Sequence, residues 1–249
     1  MTADTLSAVT KSSNVLQLYC GLQRAAAELH FPLVTFALRV TTEQGPEHFS
    51  LSNYPDAWRT QYNERNYIAT DPVLRQSLLS LSALFWDELP LDNQDDVSFM
   101  REAASHGIRH GITLPLYGEH GEIGILSLAR ATPLPGDIED REKIRVAGTG
   151  LAWAGFDAAM RLLGPDARHL SLLHLTEQEV RCLKRAALGE PDPTAIERES
   201  TRAFLIMSAV RKLGVSTRQE ARSAAGALGL LLDSANEDTS APSGAHRLH

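Results

Sequence analysis

Cysteine is almost missing: Cys20 and Cys182 are the two in 249 residues, and their separation matches no thiol metal motif or short disulfide loop. A reducing, cytoplasmic setting is the expectation. Aromatic residues are also scarce, at 6%. No apolar run reaches membrane-spanning length, and the opening MTADTLSAVTKSSN lacks the charged and apolar blocks of a signal peptide. The motifs H-E-x-x-H, H-x-H-x-D-H and G-x-S-x-G are missing as well, which argues against zinc lactonase and serine hydrolase chemistry. His106 and His110 stand four apart, but Gly107 interrupts a helix between them, so they read as surface histidines. Gly148-Thr149-Gly150 is not a dinucleotide loop, since no G-x-G-x-x-G follows a strand. No catalytic residue, metal or cofactor is expected, and the chain does not read as an enzyme. The net charge of −7 has the wrong sign for a general nucleic-acid binder. That acidity lies in 1–173, while 174–232 is weakly basic.

What the chain does have is the stretch 53–86, NYPDAWRTQYNERNYIATDPVLRQSLLSLSALFW. Tyr54, Trp58 and Tyr62 recur at i, i+4 and i+8, which stacks three rings on one helical face. Each ring has a polar handle that needs a partner when buried. Asp71 follows, directly before Pro72, between apolar runs that would enclose its carboxylate. Trp86 closes the segment. Two readings fit this spacing: a lined small-molecule pocket with a few convergent polar groups, or a half-buried aromatic core with Asp71 capping a turn before proline.

The rest of the chain supplies mixed elements. Residues 15–29 keep a helical period, with Ser12 or Ser13 as cap. Residues 33–40 and 48–52 read as strands around a polar turn at 43–45, and 97–110 as a short helix ending at Gly111. A hairpin pairs 112–117 with 123–129 across Gly118-Glu119-His120-Gly121. Residues 137–163 form a long helix with Ile144, Ala147, Leu151, Ala154 and Ala158 on one face. Its small stripe Gly148, Ala152, Gly155, Ala159 serves either subunit pairing or packing on its own sheet. Together these predict an α+β fold, a layered domain with an antiparallel sheet. Gly164-Pro165-Asp166 breaks that long helix and begins a short linker. Thr176 with Glu179 three residues on is a capping-box signature, and 233–249 has too little apolar content to fold.

The pattern Y-P-x-x-W-R-x-x-Y-x-x-x-x-Y-x-x-x-D-P, with the later Phe85-Trp86 and H-G-I-T-L-P-L-Y-G, resembles the ligand-binding domain of LuxR-type quorum-sensing receptors. The match runs over about 33–129. The resemblance implies a five-stranded sheet between helical layers and an N-acyl-homoserine lactone as ligand. It assigns the lactone carbonyl to Trp58, the amide N–H to Asp71 and the amide carbonyl to Tyr54 and Ser127. Tyr62 and Trp86 would wall the pocket, Thr113 would be a further polar contact, and Pro72 and Gly111 would shape the backbone. Strand alternation puts Ser127 with Ile125 and Ala129. Phe36, Leu38, Val73, Leu114 and Ile125 are the expected acyl sleeve, or else plain core.

Residues 175–232 resemble the LuxR-type helix-turn-helix at both ends, through L-T-x-x-E-x-x-x-L-x-x-A-A-x-G and V-R-K-L-G-V-S-T-R-Q-E-A. The middle departs from it: Pro191 and Pro193 delay the scaffold helix, and TRAFLIMSAVRKL offers few base-reading groups. Arg198, Arg202, Ser208, Arg211, Lys212 and Arg218 remain to hold phosphates. Phe204, Leu205 and Met207, exposed together, would make a protein-contact patch. The expected organisation is an autoinducer-binding domain at 1–164, a linker at 165–174, a divergent helix-turn-helix at 175–232 and a disordered tail at 233–249. Two functions follow from it. One is a homodimeric, lactone-controlled transcriptional regulator acting on promoter DNA. The other is a lactone-binding modulator that heterodimerises with intact receptors.

Overall fold

A computed structural model describes residues 1–42, 45–163, 178–179, 182–183, 199–213 and 215–227. The expected linker, Thr176, Pro191, Pro193, Arg198 and the tail lie outside the described residues.

The N-terminus begins with a helix that the sequence reading did not anticipate, α1 (Ala3–Thr10), capped by Thr2. In the next helix, α2 (Val15–Glu28), the cap is Asn14 rather than Ser12 or Ser13, its side chain accepting the Gln17 N–H at 2.9 Å. Ser12 instead turns back to the Ala8 carbonyl. Two strands follow, β1 (Leu33–Thr42) and β2 (Gly45–Ser52). The aromatic stretch gives α3 (Asp56–Glu64) and α4 (Pro72–Ser77) before the short β3 (Leu84–Phe85). Next come α5 (Gln94–Ser105), β4 (His110–Tyr117), β5 (Ile123–Arg130) and the long α6 (Ile138–Leu163).

The expected helix over 97–110 is shifted. Asn93 caps α5 through the Asp96 N–H, and the chain turns at Gly107, where φ is +81°. Only glycine adopts that angle without strain, so His110 and Gly111 already belong to β4.

The sheet is antiparallel throughout, with strand order β2-β1-β5-β4-β3. Alternation gives it two chemically different faces. Val34, Phe36, Leu38, Val40, Ile112, Leu114, Leu116, Leu126 and Leu128 point into the main core with α1, α2 and α6. Thr35, Ala37, Thr113, Ile125, Ser127 and Ala129 occupy the opposite face, toward α3, α4 and α5.

The small stripe of α6 packs on its own domain. A methyl at Gly148 would meet Leu114 at 3.4 Å, and one at Gly155 would meet Leu22 at 3.1 Å; Ala152 and Ala159 are fully buried. Close helix approach, not subunit pairing, uses these residues. Ile138, Val146 and Trp153 are the exposed large apolar groups of α6, at 83%, 64% and 51%, and Val146 and Trp153, seven apart, share one helical face.

Beyond residue 163 the described part contains α7 (Glu199–Lys212) and α8 (Arg218–Ala227). Leu183, Ile206, Ala209, Val210, Leu213 and Ala221 form their core. Glu220 accepts the Ser216 and Thr217 N–H groups while Thr217 caps the Glu220 N–H, a reciprocal start to α8. Leu16 of α2 packs on this cluster, and Arg59 of α3 donates to the Gly226 carbonyl at 2.8 Å.

Candidate ligand-binding site

Asp71 unites the two readings left open by the sequence. It is the N-cap of α4, one carboxylate oxygen accepting the Val73 and Leu74 N–H groups at 2.8 and 3.1 Å. Its other oxygen accepts the Tyr62 hydroxyl at 3.0 Å. A carboxylate offers roughly four acceptor sites, so one remains. Burial pushes the Asp71 carboxyl up, against the bonds from Leu74, Tyr62 and Val73 that hold it down. Enclosure, followed by the Asp71 charge, pushes the phenols of Tyr54 and Tyr62 up as well. Both are therefore protonated donors under all ordinary conditions.

Tyr54 precedes α3 rather than lying on it, since Pro55 is the cap. Its hydroxyl oxygen is buried and has no hydrogen-bond partner among the described residues. Leaving a hydroxyl so costs about 1–3 kcal/mol. Trp58 is 3% exposed; its indole N–H donates to no described residue but, unlike the Tyr54 hydroxyl, is not among the buried atoms left without a partner. Its ring is held edge-on by Tyr62 and Phe99, at 6.0 and 5.5 Å between centroids, and tilted against Tyr67 at 5.8 Å.

The sheet supplies the opposite wall. Trp86 donates its indole N–H to the Thr113 hydroxyl at 2.9 Å, and Thr113 bonds Ser127 at 2.9 Å. Thr35 donates to Ser52, which also accepts the Tyr54 backbone N–H at 3.2 Å. Gly111 lets the ring lie against the strand: a methyl there would stand 2.8 Å from the Trp86 ring and 2.5 Å from the Leu128 carbonyl. Val73 packs with Trp58 and Trp86, and Ile125 shares the Ser127 face.

Three members of the expected sleeve are elsewhere. Phe36 and Leu38 pair across the sheet with Leu126 and Gly124, and Leu114 with Leu126. All three are in the core against α2 and α6, on the face turned away from Trp58. His106 is also misread as a surface group: it lies 5.6 Å from the Trp58 ring and meets Gln61. Missed altogether were Thr35, Ser52 and the ring contacts of Tyr67 and Phe99. Register would have pointed to Thr35 and Ser52, once the β1–β2 hairpin was aligned.

Of the groups proposed for phosphates, Arg202, Ser208 and Lys212 lie on α7, and Arg218 starts α8, with Arg211 also on α7. The side chains of Arg202, Arg211 and Arg218 are outside the described residues. Lys212 is committed elsewhere, donating to the 3%-exposed Glu179 at 2.8 Å. Met207 is 56% exposed. No group of three or more potential metal ligands occurs among the described residues, and no helix there is long and apolar enough to cross a membrane.

Residues 15–156 match the family model of the autoinducer binding domain. The transcriptional activator protein VanR of Vibrio anguillarum is 28% identical over 181 residues, covering 68% of this chain and 71% of that protein. AnoR of Acinetobacter nosocomialis, also named a transcriptional activator, is 26% identical over 236 residues, 92% of this chain and 98% of its own length. Among solved structures, the N-acylhomoserine lactone dependent LuxR-family factor CepR2 of Burkholderia cenocepacia superposes with a TM-score of 0.55 at 25% identity. That match covers 64% of this chain and 93% of CepR2. The family model spans more than half the chain and takes in the whole aromatic stretch and both hydroxyl pairs, so this protein belongs to the LuxR-type quorum-sensing regulators with an autoinducer-binding domain.

Proposed function

We propose that the protein is a receptor for an N-acyl-homoserine lactone that controls transcription through its C-terminal helices. The supporting observation is the set of uncommitted groups around Asp71. Trp58 offers a donor for the lactone carbonyl, Tyr54 a donor for the amide carbonyl, and Asp71 one remaining acceptor for the amide N–H. Ser127 adds a second donor at the amide carbonyl. The acyl sleeve is then Val73 and Ile125 with Leu33 and Ala37 of the same sheet face. The division into a binding domain at 1–164, linker at 165–174, DNA-facing helices at 175–232 and tail at 233–249 is retained. Its site of action is the cytoplasm, and it works as a homodimer paired along the Val146–Trp153 face of α6.

A second reading has its own observation. Lys212 is held by Glu179 while Met207 on the same helix is exposed, so α7 offers protein contact as readily as phosphate contact. On this reading the chain binds lactone but acts by heterodimerising with an intact LuxR-type receptor. A gel-shift titration on promoter DNA, with lactone and a cognate receptor added or omitted, separates the two. Site-specific, lactone-dependent retardation by the protein alone is expected for the regulator; loss of the receptor's own shift marks the modulator. Mass spectrometry of the protein purified from cells fed mixed lactones tests the ligand. Recovery of no lactone would remove both readings.

A further inference from the structure

The wall that covers Trp58 and Tyr62 is fastened differently from the others. Residues 63–70, the end of α3 and a 3-10 turn at Tyr67–Ala69, loop out between Tyr62 and Asp71. All of them are exposed except Tyr67, which is partly buried. The base of the loop is tied, because Tyr62 donates to Asp71 across it. Its backbone bonds close on itself: the Arg65 N–H goes to Gln61, Asn66 to Asn63, Ala69 to Asn66, and Thr70 and Asp71 to Tyr67. Asn66, with φ at +50°, makes the bend at the tip. A compact loop closed at its base can move as one piece.

Its attachment to the rest of the molecule converges on one carboxylate. Glu102 of α5 accepts the Tyr67 hydroxyl at 2.7 Å and the Arg65 guanidinium at 2.9 and 3.1 Å, and Arg65 also donates to the Tyr67 oxygen at 3.0 Å. Gln61, on the last turns of α3, donates to the same carboxylate and meets His106. The Tyr67 bond, first among these, holds the Glu102 carboxyl below its ordinary range, so the acceptor is ionised at neutral pH. The Tyr67 ring then lies on Trp58 and Phe99, at 5.8 and 5.1 Å between centroids. Among the described residues, no other side chain of 63–70 has a polar bond to the rest of the protein.

The neighbouring walls lack this freedom. The sheet is held by its ladder, and α4 by the Arg75–Asp96 pair at 2.7 Å and by Tyr117, which donates toward the Ser77 and Leu78 carbonyls. Trp58 and Asp71 are enclosed, so a ligand that reaches them displaces part of a wall. The loop is the part that gives way by releasing one ring and one carboxylate cluster.

Resting on the lactone reading above, we infer that residues 63–70 are a hinged flap over the Trp58 side of the site, and that Tyr67, Arg65 and Glu102 form the latch that opens for ligand to pass. A latch made in both free and bound protein slows entry and exit alike and leaves affinity nearly unchanged. The test uses the full-length protein, a panel of N-acyl-homoserine lactones from butanoyl to dodecanoyl, and stopped-flow tryptophan fluorescence with the tightest binder. Glu102→Ala should raise the association and dissociation rate constants together about tenfold, the worth of a hydrogen bond to a charged group, with Kd altered less than about threefold. Arg65→Ala, on the exposed side of the latch, leaves the Tyr67–Glu102 bond in place and should raise both rates by a smaller factor. In ligand-free protein, tryptic cleavage after Arg65 tracks opening of the flap and should quicken in Glu102→Ala. A dissociation rate that rises alone, as a merely weakened fold would give, or cleavage at the wild-type rate, would overturn the inference while the receptor reading stands. No binding across the panel would remove the receptor reading, while faster cleavage in Glu102→Ala would still support the flap and its latch.

Discussion

The Tyr54 hydroxyl is the residue-scale feature that separates a binding site from a packed aromatic core. A core tyrosine without a partner for its oxygen is a poor choice, because phenylalanine fills the same space without desolvating a donor. Tyr54→Phe should therefore raise the stability of the ligand-free protein by about 1–2 kcal/mol while weakening lactone binding about tenfold. Chemical denaturation and a ligand titration read the two effects, and loss of stability with unchanged affinity would contradict the assignment. Asp71 gives a pH signature. Its folded-state pKa is raised by burial, so its contribution to stability is largest below the ordinary carboxylate range and is lost as pH rises toward the raised value. An amide N–H donated to the ionised carboxylate works in the opposite sense, and ligand binding should tighten across that same interval. The ligand-induced shift in melting temperature should grow from acid toward neutral pH. In Asp71→Asn, which can still cap α4, the shift should be small and flat.

At the scale of elements, the sheet decides which residues meet the ligand. Thr113 and Leu114 are neighbours on β4, and a strand sends neighbours to opposite faces. Assigning both to the pocket was inconsistent with alternation alone; the bond to Ser127 fixes Thr113 on the site's side and sends Leu114 to α6. The two faces can be tested separately through glycine. Gly111→Ala would drive a methyl into Trp86 and the Leu128 carbonyl, costing about 2–3 kcal/mol and breaking the Trp86–Thr113 bond. Gly124→Ala meets Phe156 on the opposite face, with a comparable loss of stability. Only Gly111→Ala should also weaken lactone binding relative to the folded fraction. Equal binding losses in the two variants would mean that the Trp86 wall has no particular role. The expected helix stripe at Tyr54, Trp58 and Tyr62 survives with a modification: two rings ride on α3 and Pro55 sets the third just before it.

Across the whole molecule, ligand and fold are linked by mass action. A lactone that occupies the folded state alone stabilises it by about 2.7 kcal/mol at a hundredfold excess over its dissociation constant. Protein made without lactone should melt lower and give less soluble material than protein made with it, as read by thermal shift and yield. Identical values across a panel of lactones would sink the coupling. The C-terminal helices touch the same domain through Leu16 and through the Arg59–Gly226 bond, one residue from Trp58. What the sequence determined by itself is local: the aromatic spacing, the Asp-Pro cap, the hairpin at Gly118–Gly121 and the strand and helix periods, each set by forces acting within a few residues. The tertiary structure decided what pairs over long distances. Antiparallel register brought Thr113, Ser127, Thr35 and Ser52 from four strands into one row, and sent Phe36, Leu38 and Leu114 to the other face. The same packing gave the small stripe of α6 to its own core, because a side chain's face depends on the partner strand or helix, and no local pattern encodes that partner.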